Sequence, residues 1–149
     1  MEQLKSYILR EVGTLARSIQ SISDVKFKEI KLQRGQFIFL TRVCENPGFN
    51  QIDLSNLLKV DKSTTTKVVQ KLIDEGYITK ERDNADKRMW RLYPTNKAHS
   101  TYSIIMDEEN RNIGVCFGDF TKDEQQLVYE LVKKMRVNVE KDCKKLKIC

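Results

Sequence analysis

The chain has 149 residues, of which 40% are hydrophobic and 32% charged, and its formal net charge is +6. This length suits one compact domain with a hydrophobic core and is too short for two ordinary domains. The sequence contains no apolar run of about 18 residues and no apolar signal segment, so we expect a cytoplasmic protein without a membrane partner. The positive charge favours a polyanionic partner. The cysteines lack paired metal-ligand spacing, so we expect no metal site and reduced thiols at Cys44, Cys116, Cys143 and Cys149.

Two apolar patterns at helical spacing precede the centre of the chain. The first predicts an amphipathic helix from Leu4 to Ile22, which needs a surface to pack against. The second predicts a core helix from Gln33 to Cys44 that stops at the Asn-Pro-Gly sequence beginning at Asn46. Since Cys44 lies on the apolar face of that helix, we interpret it as a packing residue.

The segment from Gln51 to Thr95 predicts a helix, a turn, a second helix and a β-hairpin. The first of these helices ends near Leu58. The second begins after an N-cap at Asp61 or Ser63, whose side chains can accept the free N–H groups of a first helical turn. It ends before Gly76, which can adopt the left-handed conformation.

The outward face of the second helix carries hydroxyls and cations, with no carboxylate before Asp74. Small side chains near its N-terminus would let it approach a DNA major groove, where donors reach base edges and cations reach phosphates. A solvated helix face rich in Thr and Lys would show the same pattern. The residues of this face are Ser63, Thr64, Thr66, Lys67, Gln70 and Lys71.

A cationic hairpin follows the second helix. Strands are predicted from Tyr77 to Glu81 and from Met89 to Tyr93, joined by a turn from Asp83 to Asp86. Residues 59–97 hold ten Lys or Arg against six acids, so most of the positive excess lies on this module. A basic hairpin beside such a helix is typical of a wing. The cations that flank its turn are Arg82, Lys87 and Arg88.

Two further helices are predicted after the hairpin. One runs from Asn96 to about Phe117, with Ala98, Tyr102, Ile105, Met106, Ile113 and Phe117 as candidate buried positions. The other begins with a capping box formed by Thr121 and Glu124, and Lys141 to Cys149 is expected to be a solvated tail. The terminal helices carry more apolar surface than a small DNA module can bury, so we expect two copies to pair through them.

The sequence resembles the MarR (multiple antibiotic resistance regulator) transcription factors. The similarity lies in the motifs LSNLL from Leu54, DKSTTTK from Asp61, EGYI from Glu75 and RDNADKR from Arg82. The family places a wing Asp two residues before an Arg, which matches Asp86 and Arg88. Where the family strand ends in Leu-Thr, this chain has LYPT from Leu92, so the exit from the hairpin is expected to differ locally.

The resemblance implies a mainly α fold with a small β-hairpin wing. Residues 1–149 would form one domain, with a winged helix-turn-helix lobe at 33–95 and helical dimerisation regions at 1–22 and 96–145. Such a homodimer would bind an inverted repeat in double-stranded DNA, with half-sites about 10 base pairs apart, and is expected to act as a repressor. No cofactor is implied.

The resemblance also implies roles for individual residues. Thr64 and Lys67 would read base edges, with Ser63 and Thr66 close by. Lys62 and Lys71 would hold phosphates. In the wing, Arg88 would enter the minor groove, oriented by Asp86 and helped by Lys87 and Arg82.

A small aromatic or phenolic effector is a further implication of the resemblance. A pocket between the first, second and fifth helices could involve Phe37, Tyr102 or Met106, although core packing would also explain each of them. Some relatives sense oxidants through a cysteine near the N-terminus. This chain has no cysteine before Cys44, so we do not expect a switch of that kind, although Cys116 or Cys143 could react if exposed.

Two other functions compete with DNA binding. The sequence gives an enzyme little support, because it holds one histidine, His99, and neither a Gly-rich phosphate loop nor an H-E-x-x-H motif. The paired acids Glu108 and Glu109 are expected on a solvated helix face. The remaining alternative is a winged-helix module used for protein contacts, because fold does not fix function.

Overall fold

The computed structural model describes residues 1–148, which form six helices and one antiparallel hairpin. This result confirms the predicted mainly α architecture and the order of its elements. The elements are α1 (Ile8–Lys26), α2 (Gln36–Glu45), α3 (Gln51–Leu58), α4 (Lys62–Asp74), β1 (Ile78–Arg82), β2 (Trp90–Pro94), α5 (Asn96–Cys116) and α6 (Lys122–Lys145).

Several helix boundaries differ from those predicted. Helix α1 begins four residues later than Leu4 and continues past Ile22. Helix α2 starts after Gly35, because Arg34 and Gly35 both have positive φ angles and cannot continue a right-handed helix. The expected solvated tail from Lys141 is helical as far as Lys145, where basic residues in the last turn favour the negative end of the helix dipole.

The hydrophobic core lies in the winged lobe. Helix α2 runs through it and contributes Phe37, Phe39, Leu40 and Val43, all buried. Each of the other elements of the lobe adds apolar side chains that are at most 1% exposed, which joins α3, α4, the hairpin and α5 into one body. These side chains are Leu54, Val69, Leu72, Ile78, Leu92 and Ile105.

Thr95 joins the hairpin to α5. Its hydroxyl donates to the carbonyls of Gly76 and Tyr77, at 2.7 and 3.0 Å, and its backbone N–H also donates to Tyr77. The same hydroxyl oxygen accepts the N–H of Ala98 and so caps α5. Strand β2 therefore ends at Pro94, and α5 begins directly after Thr95.

Apolar side chains on the outer helices are exposed. Ser23 is the one buried residue of α1, and α6 has none. Ile113 on α5 is 52% exposed, so the prediction that it is buried is wrong for a single chain. The apolar stripes of α1 and α6 are therefore largely uncovered. No helix within residues 1–148 combines the length and apolar character that crossing a membrane requires.

Tyr77 offers a test of how the lobe is held together. Its buried hydroxyl donates to the carbonyl of Ile30 at 2.7 Å, which ties the start of the hairpin to the segment between α1 and α2. We expect Tyr77→Phe to lower the free energy of unfolding by about 1 kcal/mol, because the part-buried hydrogen bond to the carbonyl of Ile30 is lost. Urea denaturation at a fixed protein concentration measures this change.

Tyr93→Phe is the matched control. The hydroxyl of Tyr93 makes no hydrogen bond with any residue from 1 to 148, so its removal should leave stability unchanged within error. Equal losses in the two variants would show that the Ile30 contact does not stabilise the fold.

Candidate nucleic-acid interface

Two buried hydroxyls fix the turn between α3 and α4. Ser55 donates to the hydroxyl of Thr65 at 2.8 Å, and Thr65 donates in turn to the carbonyl of Asp61 at 3.0 Å. Lys59 ends α3 in the left-handed conformation, and Val60 donates back to the carbonyl of Ser55. The relative position of the two helices is thus set by polar contacts inside the lobe as well as by packing.

The carboxylate of Asp61 caps α4. It accepts the N–H and the hydroxyl of Thr64, at 3.0 and 2.7 Å, and the hydroxyl of Ser63 at 2.5 Å. The sequence left Asp61 and Ser63 as alternative caps, and the structure selects Asp61. The hydrogen bond from Ser63, followed by those from Thr64, holds the pKa of Asp61 well below its usual range.

This arrangement decides how the hydroxyls of α4 can contact DNA. A hydroxyl has one proton to donate and two lone pairs that accept. Because Ser63 and Thr64 give their protons to Asp61, each has lone pairs left for a further partner. The hydroxyl of Thr66 is likewise committed, to the side chain of Gln51 and the carbonyl of Lys62. In a major groove, such acceptors match the amino groups of adenine and cytosine.

The cations of α4 differ in how free they are. Lys62 and Lys67 are exposed, and neither makes a hydrogen bond or ion pair within the described part of the chain. Lys71 is half-buried, and its ammonium donates to the side chain of Gln36 at the start of α2. Lys62 and Lys67 can therefore reach a ligand without breaking a contact, whereas Lys71 would have to share or leave one.

Two cations of the wing lie against the ring of Trp90. The strands pair from Ile78 opposite Pro94 to Arg82 opposite Trp90. The charged groups of Lys80 and Arg82 lie 5.2 and 4.8 Å from the centre of the Trp90 ring. Attraction between cations and the aromatic face restricts both side chains and keeps their charge on one face of the hairpin.

Asp83 and Arg91 hold the turn of the wing. The sequence placed Asp83 at the start of this turn without a contact for it, and it did not single out Arg91. The carboxylate of Asp83 accepts the N–H groups of Ala85 and Asp86 and the guanidinium of Arg91, the last at 2.7 Å. Arg91 lowers the pKa of Asp83 and also donates to the carbonyl of Gly48, before α3. An Asp opening a turn was a readable signal. The contact of Arg91 was not, because Gly48 is distant in the sequence.

Arg88 projects from the tip of the wing. Its guanidinium lies 3.3 Å from the carboxylate of Asp86, which also accepts the backbone N–H of Arg88. The side chain is nevertheless 93% exposed, so the ion pair orients the guanidinium and leaves most of its donors free. Lys87 beside it is exposed as well. The pairing of Asp86 with Arg88 that the family resemblance implied is present.

Gln51 links the helix face to the wing. It accepts the hydroxyl of Thr66 on α4, and it also lines a cleft whose opposite wall includes Asp86, Arg88 and Trp90. The N-terminal half of α4 and the tip of the wing therefore lie on the same side of the lobe.

A cavity of about 600 Å³ lies between α1, α2, α5 and the start of α6. It occupies the position expected for an effector pocket, and Phe37 and Met106 line it. Tyr102 is not among the residues that line it. Glu109 also lines the cavity and is half-buried, which corrects the expectation that both paired acids are solvated. Glu108 is not solvated either, since its side chain is 10% exposed and paired with Arg111 at 2.8 Å.

His99 and the cysteines are the remaining reactive side chains that the sequence singled out. His99 is exposed at the start of α5, and no group of His, Cys, Asp and Glu within residues 1–148 is arranged to hold a metal ion. Burial raises the pKa of Cys44 to about 11, which supports its interpretation as a packing residue. Cys116 is a free thiol. Cys143 is disulfide-bonded, which corrects the expectation of a reduced thiol there.

The chain is similar to known proteins in sequence and in fold. A model of the MarR family matches residues 32–89. The chain is 37% identical to the HTH-type transcriptional regulator YybA of Bacillus subtilis (strain 168), over 91% of this chain and 90% of the relative.

Solved structures are similar over nearly the whole chain. A MarR protein from Peptoclostridium difficile is 55% identical, with a TM-score of 0.94 and coverage of 98% of this chain and 95% of that one. A Listeria monocytogenes protein assigned to the same family was solved with a 26mer DNA. It is 34% identical, with a TM-score of 0.90 and coverage of 99% of this chain and 95% of that one.

The cap at Asp61 predicts a pH-dependent change in stability. Because the pKa of Asp61 is lowered in the folded chain, its stabilising effect is complete above the ordinary carboxyl pKa of about 4 and is lost as the pH falls below that value. We expect Asp61→Asn to lower the melting temperature at pH 7, with a smaller difference at pH 3. Thermal unfolding followed by circular dichroism measures both.

Asp74→Asn is the control, because Asp74 lies at the other end of α4 and accepts only the side chain of Gln70. Its melting temperature should match that of the parent chain or exceed it, since a carboxylate is unfavourable at a helix C-terminus. A deficit in Asp61→Asn that stays the same at pH 3 and pH 7 would refute the electrostatic account.

Proposed function

The chain belongs to the MarR family of helix-turn-helix transcriptional regulators, and from that premise we propose that it is a cytoplasmic homodimeric repressor whose DNA affinity is modulated by a small molecule. The family consists of transcriptional regulators rather than enzymes. One observation carries the proposal most directly. The exposed guanidinium of Arg88 lines a cleft with Gln51, and Gln51 accepts the hydroxyl of Thr66 on α4. The same helix carries the exposed Lys67.

The DNA contacts follow from the groups that are free. Helix α4 would enter a major groove, with Thr64 and Lys67 at base edges and Ser63 and Thr66 close by. Lys62 would hold a phosphate, and Lys71 would do so while keeping or exchanging its contact with Gln36. Arg88 would enter the adjacent minor groove with Lys87 and Arg82 beside it. The relative solved with a 26mer DNA supports DNA as the partner.

Dimerisation is supported by the uncovered apolar faces of the outer helices. Exposed side chains such as Leu15 on α1, Ile113 on α5 and Leu131 on α6 would leave water if two copies paired. A two-fold axis would then present two α4 helices to successive turns of one duplex face, which requires an inverted repeat.

Modulation by a ligand is supported by the place of the large cavity. Its walls come from α1 and α6, which would form the dimer, and from α2 and α5, which support the winged lobe. A ligand that prefers one position of the outer helices over another would change the distance between the two α4 helices. The ligand would thereby change the affinity of the protein for DNA. The ratio of the ligand's affinities for the two helix positions limits how large that change can be.

Selection of bound sequences from a random duplex library tests DNA binding directly. We expect an inverted repeat with half-sites about 10 base pairs apart. Affinity for the selected duplex should fall steeply as salt rises, because phosphate contacts release counterions. No enriched motif, together with binding that ignores salt, would instead favour a winged helix used for protein contacts.

Two variants separate positioning from base reading. We expect Arg88→Ala to weaken binding to all sequences and to reduce the slope of log affinity against log salt by about 1. Lys67→Ala should also relax the choice at one base position, by about 1 to 3 kcal/mol. Repeating the selection with each variant measures both effects, with the exposed Lys141→Ala on α6 as the control. An unchanged sequence preference in Lys67→Ala would remove it from the base readers.

The dimer has its own test. Leu131 lies within the exposed apolar stripe of α6, and Lys133 lies on the opposite face of the same helix. We expect Leu131→Glu to yield a monomer with much weaker operator binding, because a charge in an apolar interface loses its hydration. The control, Lys133→Glu, should remain dimeric. Sedimentation equilibrium measures both masses, and a parent chain that sediments as a monomer would contradict the proposal.

A further inference from the structure

The large cavity is lined by a negatively charged residue and by no positively charged one. Among the residues from 1 to 148 that line it, Glu109 is the one acid, and no Lys, Arg or His contributes. Most of the remaining lining is apolar and includes the aromatic rings of Phe37, Phe117 and Phe120. A pocket of this kind offers a negative charge and a hydrophobic surface to whatever enters it.

The carboxylate of Glu109 lacks a close partner. It accepts no hydrogen bond and forms no ion pair within the described part of the chain, although burial raises its pKa. The charged groups that act on it are Arg42, which lowers the pKa, and Glu45, which raises it. The guanidinium of Arg42 is already engaged, since it donates to Thr41 at 2.9 Å and lies 3.4 Å from Glu45.

The neighbouring acid shows the contrast. Glu108 accepts three hydrogen-bond contacts from the guanidinium of Arg111, and its pKa is lowered mainly by that residue. The two acids are adjacent on α5, yet Glu108 is paired with Arg111, whereas Glu109 lines the cavity and has no hydrogen-bond or ion-pair partner within the described residues. A half-buried carboxylate without a partner is costly, so a cation that reached it would be bound favourably.

The aromatic rings favour the same ligand charge. Phe117 and Phe120 meet edge to face with their centres 5.3 Å apart, at the end of α5. Aromatic faces attract cations, whereas an anion would enter the cavity without a counter-charge and close to Glu109.

We propose that this cavity binds a hydrophobic organic cation, with the charged nitrogen at Glu109 and the apolar body against the phenylalanine rings. The inference rests on the proposed effector response, and it replaces the phenolic ligand class that the family resemblance suggests. A primary amine suits the site best, because its N–H groups can donate to the carboxylate.

Three probes that carry a phenyl ring on a four-carbon chain test the charge preference: 4-phenylbutylamine, 4-phenylbutanol and 4-phenylbutyrate. Isothermal titration calorimetry with the full chain measures each affinity. We expect the amine to bind about tenfold more tightly than the alcohol, since a charge-assisted hydrogen bond is worth more than a neutral one. The butyrate should bind most weakly.

Glu109→Gln and Glu108→Gln form a matched pair of variants. The first keeps the shape of the side chain and removes its charge, so the amine should lose its advantage over the alcohol. The second removes the neighbouring charge outside the cavity, so the advantage should remain. Glu109→Gln should melt at the same temperature as the parent chain or higher, because it removes an unpaired half-buried acid, and this measurement confirms that the variant folds.

Three results would overturn the inference: equal or tighter binding of the alcohol or the butyrate, an amine advantage that survives Glu109→Gln, or no binding of any probe. Affinity for the selected duplex is measured in the same samples. If the protein binds the operator but shows no preference for the cation, the proposed function stands and the proposed ligand class is refuted. Absence of operator binding would instead refute the proposed function.

Discussion

The carboxylate of Asp61 is the point on which the interface depends. It ends the turn between α3 and α4, caps α4 and takes the hydroxyl protons of Ser63 and Thr64. The buried pair of Ser55 and Thr65 fixes the carbonyl of the same residue from the other side. One residue therefore sets where the helix starts, how it sits on the lobe and which hydrogen-bonding groups it can offer to a base edge.

The turn of the wing is likewise held by an aspartate carboxylate. The carboxylate of Asp83 accepts hydrogen bonds from two N–H groups of its own turn and from the guanidinium of Arg91. Arg91 also donates to the carbonyl of Gly48, which connects the hairpin to the segment before α3. Arg88 can then remain almost fully exposed on a turn that is itself well fixed. Rigid support beneath exposed charge reduces the conformational entropy that binding would otherwise cost.

The chain has two parts that differ in how much of their apolar surface a single copy buries. The winged lobe encloses its own core, whereas α1 and α6 present apolar stripes to solvent in a single copy. The large cavity lies where these parts meet, and Glu109 supplies its charge. A change in how the outer helices are seated would reach the lobe through α2 and α5, because both elements border the cavity and contribute to the core.

The sequence by itself determined the order of the helices, the hairpin and the faces they present, because signals such as the capping box of Thr121 and Glu124 and the apolar periodicities lie within a few neighbouring residues. Only the tertiary structure decided that Arg91 reaches Gly48, 43 residues away, and that Lys71 is held by Gln36, 35 residues away. It also separated Glu109 from Glu108, which a helical pattern could not do. Contacts between distant residues depend on how the elements pack, and no local pattern records that packing.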